Sequence, residues 1–320
     1  MKAAIRRKYG DPKHITIEEI ERPIPNQNQV LIKVHATTVN RTDCANLSAK
    51  PFIMRFFLGL FKPKKIIIGT DFAGEIISIG NDVNDLPIGD RVFGFTDSGS
   101  ESQAEYCVAD PIDLYCIPNN LTYAQAVASL EGAFYAYAFI YKTQIKAGQK
   151  ILINGATGAI GSALLQFAKQ KGVSITATCN TNNIALIQSL GASKIVDYTH
   201  KDFTDTHEKF DFIFDTVGKS TFGKCKKILT DNGIYISSEL GPYAQNVFYP
   251  ILTSFSNKKV IFPIPLSKSK TLPYIINKLK SKEFNPVIDR TYPLEDISKA
   301  YEYVLTGQKT GNVIIQIAAD

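Results

Sequence analysis

The chain has 320 residues, 44% hydrophobic and 21% charged, with a formal charge of +6. That length suits two domains of ~100–200 residues, and the composition is that of a globular chain with a core. No run approaches the ~20 apolar residues that span a bilayer, MKAAIRRKYG lacks the apolar core of a secretory signal, and the dispersed lysines form no stripe for nucleic acid, so a cytoplasmic protein without a nucleic-acid partner is expected.

The first third reads as strands and turns. VLIKVHATTV (30–39) alternates and is rich in β-branched residues; DFAGEIISIG (71–80) and DRVFGF (90–95) follow, bounded by Gly, Asp or Pro. Near 118–122 the period changes. Thr122 can cap a helix that carries Ala126, Val127 and Leu130 on one face, which marks a domain boundary. From 150 the pattern is regular: strand KILING, helix AIGSALLQFAKQKG stopped by Gly172, strand VSITATCN, helix NNIALIQSLGA ended by Gly191. KIVDY, FDFIFDTVG, a helix over 219–230 and GIYISSE continue the alternation, which predicts an α/β, doubly wound parallel sheet. LEDISKAYEYVLTG reads as a last helix and GNVIIQI as a closing strand.

In GATGAIG, Gly158 and Gly161 keep the last two glycines of a G-x-G-x-x-G turn, and Ala156 stands where the first would be. The turn follows a strand and opens a helix, as a dinucleotide-binding bend requires; the alternative is a tight turn that binds nothing. Backbone amides of Ala156, Thr157, Gly158, Ala159, Ile160 and Gly161 would meet a pyrophosphate, aided by the helix dipole. No Asp or Glu occurs between Gly158 and Asp197, so the carboxylate expected ~20 residues on to bind the ribose of NAD is missing. Thr178, Asn180, Thr181 and Asn183 instead offer uncharged donors. This favours NADPH, with NADH as the alternative. The same polar residues also serve a solvated turn and helix cap.

VLIKVHATTVNRTD, GTDFAGEIISIG, GDRVFGF, AEYCVAD, INGATGAIGSALLQFAK, SLGASKIVDYTHKDF, FDFIFDTVG and KTGNVIIQI occur in this order. With them the chain resembles the medium-chain dehydrogenase/reductases along essentially its whole length, and within them the zinc-free quinone oxidoreductase, zeta-crystallin-like branch. The resemblance implies a β-rich, GroES-like catalytic domain built from 1–120 and 286–320, with a Rossmann domain, 121–285, inserted. It also implies an active site in the cleft, and a homodimer or tetramer. Tyr198 matches a family tyrosine near the adenosine ribose and 2′-phosphate, and Val217 and Gly218 end a strand where the family backbone passes the cofactor. Where Asn183 stands the family often has Lys, which weakens the preference for NADPH.

In the zinc-dependent branch Cys, His and usually Cys occupy the positions of Asn40, Thr70 and Glu131. One possible ligand of three is too few for tetrahedral catalytic zinc. The cysteines (44, 107, 116, 179, 225) form no CxxC pair, and the histidines (14, 35, 200, 207) lack metal-ligand spacing, so no metal site is expected. Without zinc to acidify an alcohol, the easier reaction is hydride delivery to an electrophilic acceptor, a quinone or an α,β-unsaturated carbonyl. The oxyanion that develops then needs hydrogen-bond donors.

Three residues are candidates for the chemistry. Asn40 would donate to a substrate carbonyl or orient the nicotinamide ribose, or else end its strand by bonding local backbone. Asp43 would orient a ribose hydroxyl or cap the helix that follows. Glu131 would relay a proton or be a helix-terminus charge; water could also protonate the product. Tyr135, Tyr137, Phe248 and Tyr249 are candidates for apolar walls or for core. KPFIMRFFLGLFKPKK (50–65) reads as a substrate lid, as a surface-packed helix or as a segment lying on a membrane. Two other functions stay open: a low-turnover NADPH-binding protein with a structural, nucleic-acid or membrane-surface role, and a zinc-type alcohol dehydrogenase.

Overall fold

Two short N-terminal strands, β1 (Lys2–Arg6) and β2 (Ile15–Glu19), pair antiparallel. The structure, a computed structural model, describes residues 1–96, 99–264 and 266–318. The β-branched run 30–39 forms the long strand β3 (Val30–Val39), which ends in helix α1 (Arg41–Ser48) and the single turn α2 (Met54–Leu58). Strands β4 (Asp71–Ile79), β5 (Arg91–Phe95), β6 (Tyr106–Ala109) and β7 (Leu114–Cys116) follow, all antiparallel to their neighbours. Thr122 caps α3 (Tyr123–Ala128) in a capping box with Gln125, and α4 (Glu131–Thr143) begins three residues later.

The next stretch alternates as its apolar runs predict. Strands β8 (Lys150–Asn154), β9 (Ser174–Cys179), β10 (Lys194–Asp197) and β11 (Phe210–Asp215) are joined by α5 (Ala159–Lys169) and α6 (Ile184–Leu190). The helix expected over 219–230 is much shorter. Thr221 caps a single turn, α7 (Phe222–Cys225), and Leu229 already belongs to β12 (Leu229–Ser237), paired opposite Phe210. The β-ladder, an element partnered across the chain, outweighs the local helical pattern. Helices α8 (Gln245–Leu252) and α9 (Lys268–Lys280) flank the short strand β13 (Lys259–Ile261). These strands form one parallel sheet in the order β10-β9-β8-β11-β12-β13. The order reverses between β8 and β11, which is the topological switch point where open α/β sheets bind ligands.

The chain then returns to the first sheet through β14 (Ile288–Pro293), α10 (Ile297–Leu305) and β15 (Asn312–Gln316), in the order β14-β15-β3-β4-β5-β7 with β6 also on β3. Two compact units result: Met1–Glu131 with Ile288–Asp320, and Gly132–Val287. The first runs past residue 120 because α3 lies on β3 and β4 and buries Ala126 and Val127 there. In this unit Ile297, Ala300, Tyr301 and Val304 of α10 pack with Val39, Leu47 and Ile315 in one core.

The returning segment is also held by a buried polar contact. Tyr301 donates to Gln103 Oε1 at 2.9 Å, and Gln103 donates in turn to the Thr38 carbonyl at 3.1 Å, with both side chains inaccessible. Tyr301→Phe leaves Gln103 Oε1 without its donor, so unfolding free energy measured in urea is expected to fall by about 1–3 kcal/mol.

Candidate functional site

Strand β8 ends in a turn shaped by three glycines. Gly155 has φ +82°, which lets the chain reverse, so it takes the sharp bend where Ala156 replaces the usual first glycine. A Cβ at Gly161 would lie 2.2 Å from the Gly155 carbonyl oxygen, so this position holds α5 close against the strand end. Gly158 differs: its Cβ would meet nothing nearer than 3.7 Å. Gly158 is the N-cap of α5 and supplies no capping side chain. The first intrahelical bond runs from Ser162 N to Gly158 O, so the amides of Ala159, Ile160 and Gly161 have no intrahelical acceptor. Open space beside Gly158, three unspent amides and the positive end of an eleven-residue helix fit a diphosphate. The expected amides of Ala156 and Gly158 are spent instead on the Thr178 and Gly155 carbonyls, both at 3.2 Å, so Thr157 and residues 159–161 would hold it.

A buried network fixes this turn. Gly155 N donates to Thr178 Oγ1 at 3.0 Å, and Thr178 donates to Asn154 Oδ1 at 2.8 Å. Asn154 Nδ2 donates to Asp215 Oδ1 at 3.1 Å, and Thr216 Oγ1 donates to the Asn154 carbonyl at 2.9 Å. The inaccessible Asp215 carboxylate also accepts from Val217 N, Ser220 N and Tyr235 Oη at 3.0–3.3 Å. Burial and the Asp215 charge push the Tyr235 phenol pKa upward. Val217 and Gly218 leave β11 here, and a Cβ on Gly155 would meet Val217 Cγ1 at 2.4 Å. The sequence reading did not single out Gly155, Asn154 or Asp215; an acidic side chain inside FDFIFDTVG is the signal that was available.

At the end of β9, Asn180, Thr181, Asn183 and Tyr198 gather, with Asn183 donating to Asn180 Oδ1 at 2.7 Å and Tyr198 half exposed. A carboxylate stands here after all, supplied by the neighbouring strand: Asp197 pairs in register with Cys179. It accepts from the Thr181 hydroxyl at 2.5 Å and from Thr199 N and Oγ1 at 2.9 and 2.7 Å, and these bonds lower its pKa. Sequence distance from the glycines concealed it.

In the first unit, Asn40, Asp43 and Glu131 come together where β3 turns into α1. Asn40 is the N-cap: its Oδ1 accepts from Asp43 N at 2.8 Å, and Asp43 Oδ2 accepts from Asn40 N at 3.0 Å. Asn40 Nδ2 donates to Thr70 Oγ1 at 2.9 Å and to Thr38 Oγ1 at 3.3 Å. Its acceptor and both donor hydrogens are therefore spent inside the protein. Asp43 is inaccessible and caps α1, so it touches no ligand in this arrangement. Glu131 is half-buried and accepts from the Thr42 hydroxyl. Lys309 lies within its field; burial lowers the Lys309 pKa, against the pull of Glu131 and Asp289. Of the expected wall residues, Tyr137 stacks on Tyr274 at 4.3 Å and Tyr249 meets Phe222 edge-on at 5.9 Å, both as packing, while Phe248 is exposed. Among the described residues no group of three or more His, Cys, Asp and Glu side chains is arranged to hold a metal.

Residues 26–154 match the alcohol dehydrogenase GroES-like domain family, and residues 190–315 match the zinc-binding dehydrogenase family. The 2-methylene-furan-3-one reductase of Solanum lycopersicum is 31% identical over 98% of this chain and 79% of its own length. The quinone oxidoreductase of Homo sapiens is 29% identical over 96% of this chain and 95% of its own. The solved quinone oxidoreductase of Coxiella burnetii superposes with a TM-score of 0.89 at 26% identity, covering 99% of each chain. The chain belongs to the medium-chain dehydrogenase/reductases. It is an oxidoreductase of their quinone oxidoreductase-like branch, which uses a nicotinamide cofactor and a small-molecule substrate.

In this reductase two inaccessible carboxyl groups stand close together. Asp71 accepts from Thr38 N at 2.9 Å and Thr38 Oγ1 at 2.7 Å, yet burial pushes its pKa up to about 6. Burial first, then the charges of Asp71 and Glu131, push Asp43 well above the carboxylate range. Both groups hold protons in the folded state at pH values where the unfolded chain has lost them, so stability falls as pH rises from about 4 through 6. Asp43→Asn keeps an oxygen for the Asn40 amide and removes one buried charge. Its stability relative to the parent, measured by thermal unfolding, is expected to improve progressively from pH 4 to pH 8.

The glycines give a second expectation for the reductase. Gly158→Ala has room and a permissive backbone, φ −69° and ψ 170°, so its unfolding midpoint stays near the parent while cofactor affinity, read by calorimetry, drops at least tenfold. Gly161→Ala clashes with backbone and loses about 1–3 kcal/mol of folding stability.

Proposed function

We propose that the protein is a zinc-independent, NADPH-dependent reductase of quinones or α,β-unsaturated carbonyls. The observation that carries this reading is the uncapped start of α5 beside the open Gly158, in a chain whose relatives include quinone oxidoreductases and an NADPH-dependent alkenal/one oxidoreductase of Arabidopsis thaliana, 30% identical. A reduced nicotinamide bound there supplies hydride to an electrophilic carbon.

The chain's own residues bind and orient. The amides of Thr157 and residues 159–161 grip the diphosphate beside the open Gly158, while Val217 and Gly218 border it across the switch point. Asn180, Thr181, Asn183 and Tyr198 surround the adenosine ribose. The Asp197 charge is already taken by two threonine hydroxyls and one amide, so it opposes a 2′-phosphate less than a bare carboxylate would. Zinc independence is supported by the use made of two of the three ligand positions: Asn40 and Thr70 are bonded to one another, and Asn40 also caps a helix. In this reading Glu131, half-buried and bonded to Thr42, passes a proton, whereas Asn40 and Asp43 act as positioning residues that build the start of α1.

Purified protein is expected to oxidise NADPH in the presence of benzoquinones, naphthoquinones or short enones, with rates unchanged by a zinc chelator and a lower dissociation constant for NADPH than for NADH. No turnover across such a panel overturns the catalytic reading. Chelator-sensitive turnover overturns zinc independence, and tighter NADH binding overturns the cofactor preference.

A further inference from the structure

The segment 50–65 carries Lys50, Arg55, Lys62, Lys64 and Lys65 and no acidic residue. Its large apolar side chains face outward: Phe57 is 76% and Phe61 89% exposed, and Phe52, Ile53 and Phe56 are exposed beside them. Burying such a side chain is worth about 1.5–3 kcal/mol, so a cluster of them left in water marks a surface that is covered in use.

Behind the aromatics lies a cavity of about 220 Å³ whose lining includes Arg6, Asn46, Phe57, Leu58, Lys64 and Lys65. Arg6 is only 2% exposed and makes no ion pair among the described residues. Its Nη atoms donate to the Asn46 and Lys65 carbonyls, and its buried Nε has no partner. Arg6 and Arg55 both pack on the Tyr9 ring, at 5.2 and 5.1 Å, and the buried Arg55 Nε also lacks a partner. Lys65 reaches Glu101 at 3.3 Å and the Gly99 carbonyl at 2.8 Å, whereas Lys64 has no anion near it among the described residues. A guanidinium taken out of water without a counter-charge is costly, and an anion in this cavity would relieve that cost.

We propose that this face docks on an anionic phospholipid bilayer, with Phe57 and Phe61 entering the acyl boundary and the Arg6–Lys64–Lys65 cavity receiving a lipid phosphate. The helical turn α2 is five residues long, too short to cross a bilayer, and suits an interfacial position with its basic neighbours at the headgroups. Charge selects a bilayer over a second copy of the chain. A twofold mate would set one basic segment against another, whereas anionic lipid neutralises both the segment and Arg6.

The test is co-sedimentation of the full chain with vesicles of phosphatidylcholine alone or with about a third phosphatidylglycerol, a composition that gives a strongly negative surface. Partition onto the anionic vesicles is expected to be at least tenfold higher and to fall as salt is raised. Lys64→Glu, at an exposed site, should lower that partition roughly fivefold or more. The double variant Phe57→Ser with Phe61→Ser should lose most of it while keeping its melting temperature and its rate of quinone reduction. Equal binding to neutral vesicles, or unchanged partition of Lys64→Glu, overturns the proposal. Raised KM for quinone in the double variant with partition intact assigns the aromatics to a substrate lid and overturns it too. Inorganic phosphate that raises the melting temperature of the parent but not of Lys64→Glu, in a protein that ignores vesicles, assigns the cavity to free phosphate instead.

Discussion

The fold is organised around the join between β8 and α5, where a strand end and a helix start are forced within van der Waals contact. Gly161 sits against the Gly155 carbonyl, and a methyl group there would push the helix away. The helix dipole and three unspent amides then face the switch point of the sheet. The site does not rest on the glycines alone. Asn154, Thr178 and Asp215 hold the turn from beneath with buried, mutually satisfied hydrogen bonds, which makes the turn rigid.

The first unit uses the same economy with different groups. Asn40 and Asp43 cap α1 reciprocally, and Asn40 ties that cap to Thr70 at the start of β4. Two neighbouring buried carboxyls are the cost of this design, and their mutual repulsion is relieved by holding protons. Thr42 and Glu131 lie at its accessible edge.

Elements with a strong period were legible from residues alone. VLIKVHATTV became β3 from Val30 to Val39, and the helix after Thr122 carries the capping box and the buried face that its pattern required. The helices α8 and α9 were not read; each has a proline inside it, at Pro250 and Pro273, which breaks the usual signal. The helix expected over 219–230 is confined to 222–228, a helical turn and a 3-10 turn, because Leu229 has a ladder partner far away in sequence. The glycine turn was legible because its spacing is local. Asp197 beside Thr181 and Asp215 beneath Asn154 were not, since each pair is made by strands whose adjacency only the folded sheet creates; Thr70 beside Asn40 followed from the family resemblance, not from local pattern.

The Asn40–Thr70 bond carries an implication for how this reductase relates to metal-using members of its family. Asn40 serves as a helix cap, and Thr70 takes one of its two amide hydrogens. Replacing Asn40 alone by a thiolate ligand would remove a cap worth about 0.5–2 kcal/mol and leave Asp43 N without its acceptor, before any ion could bind. A thiolate at this position would therefore carry a folding cost that the other two ligand positions do not offset, since neither replaces the cap.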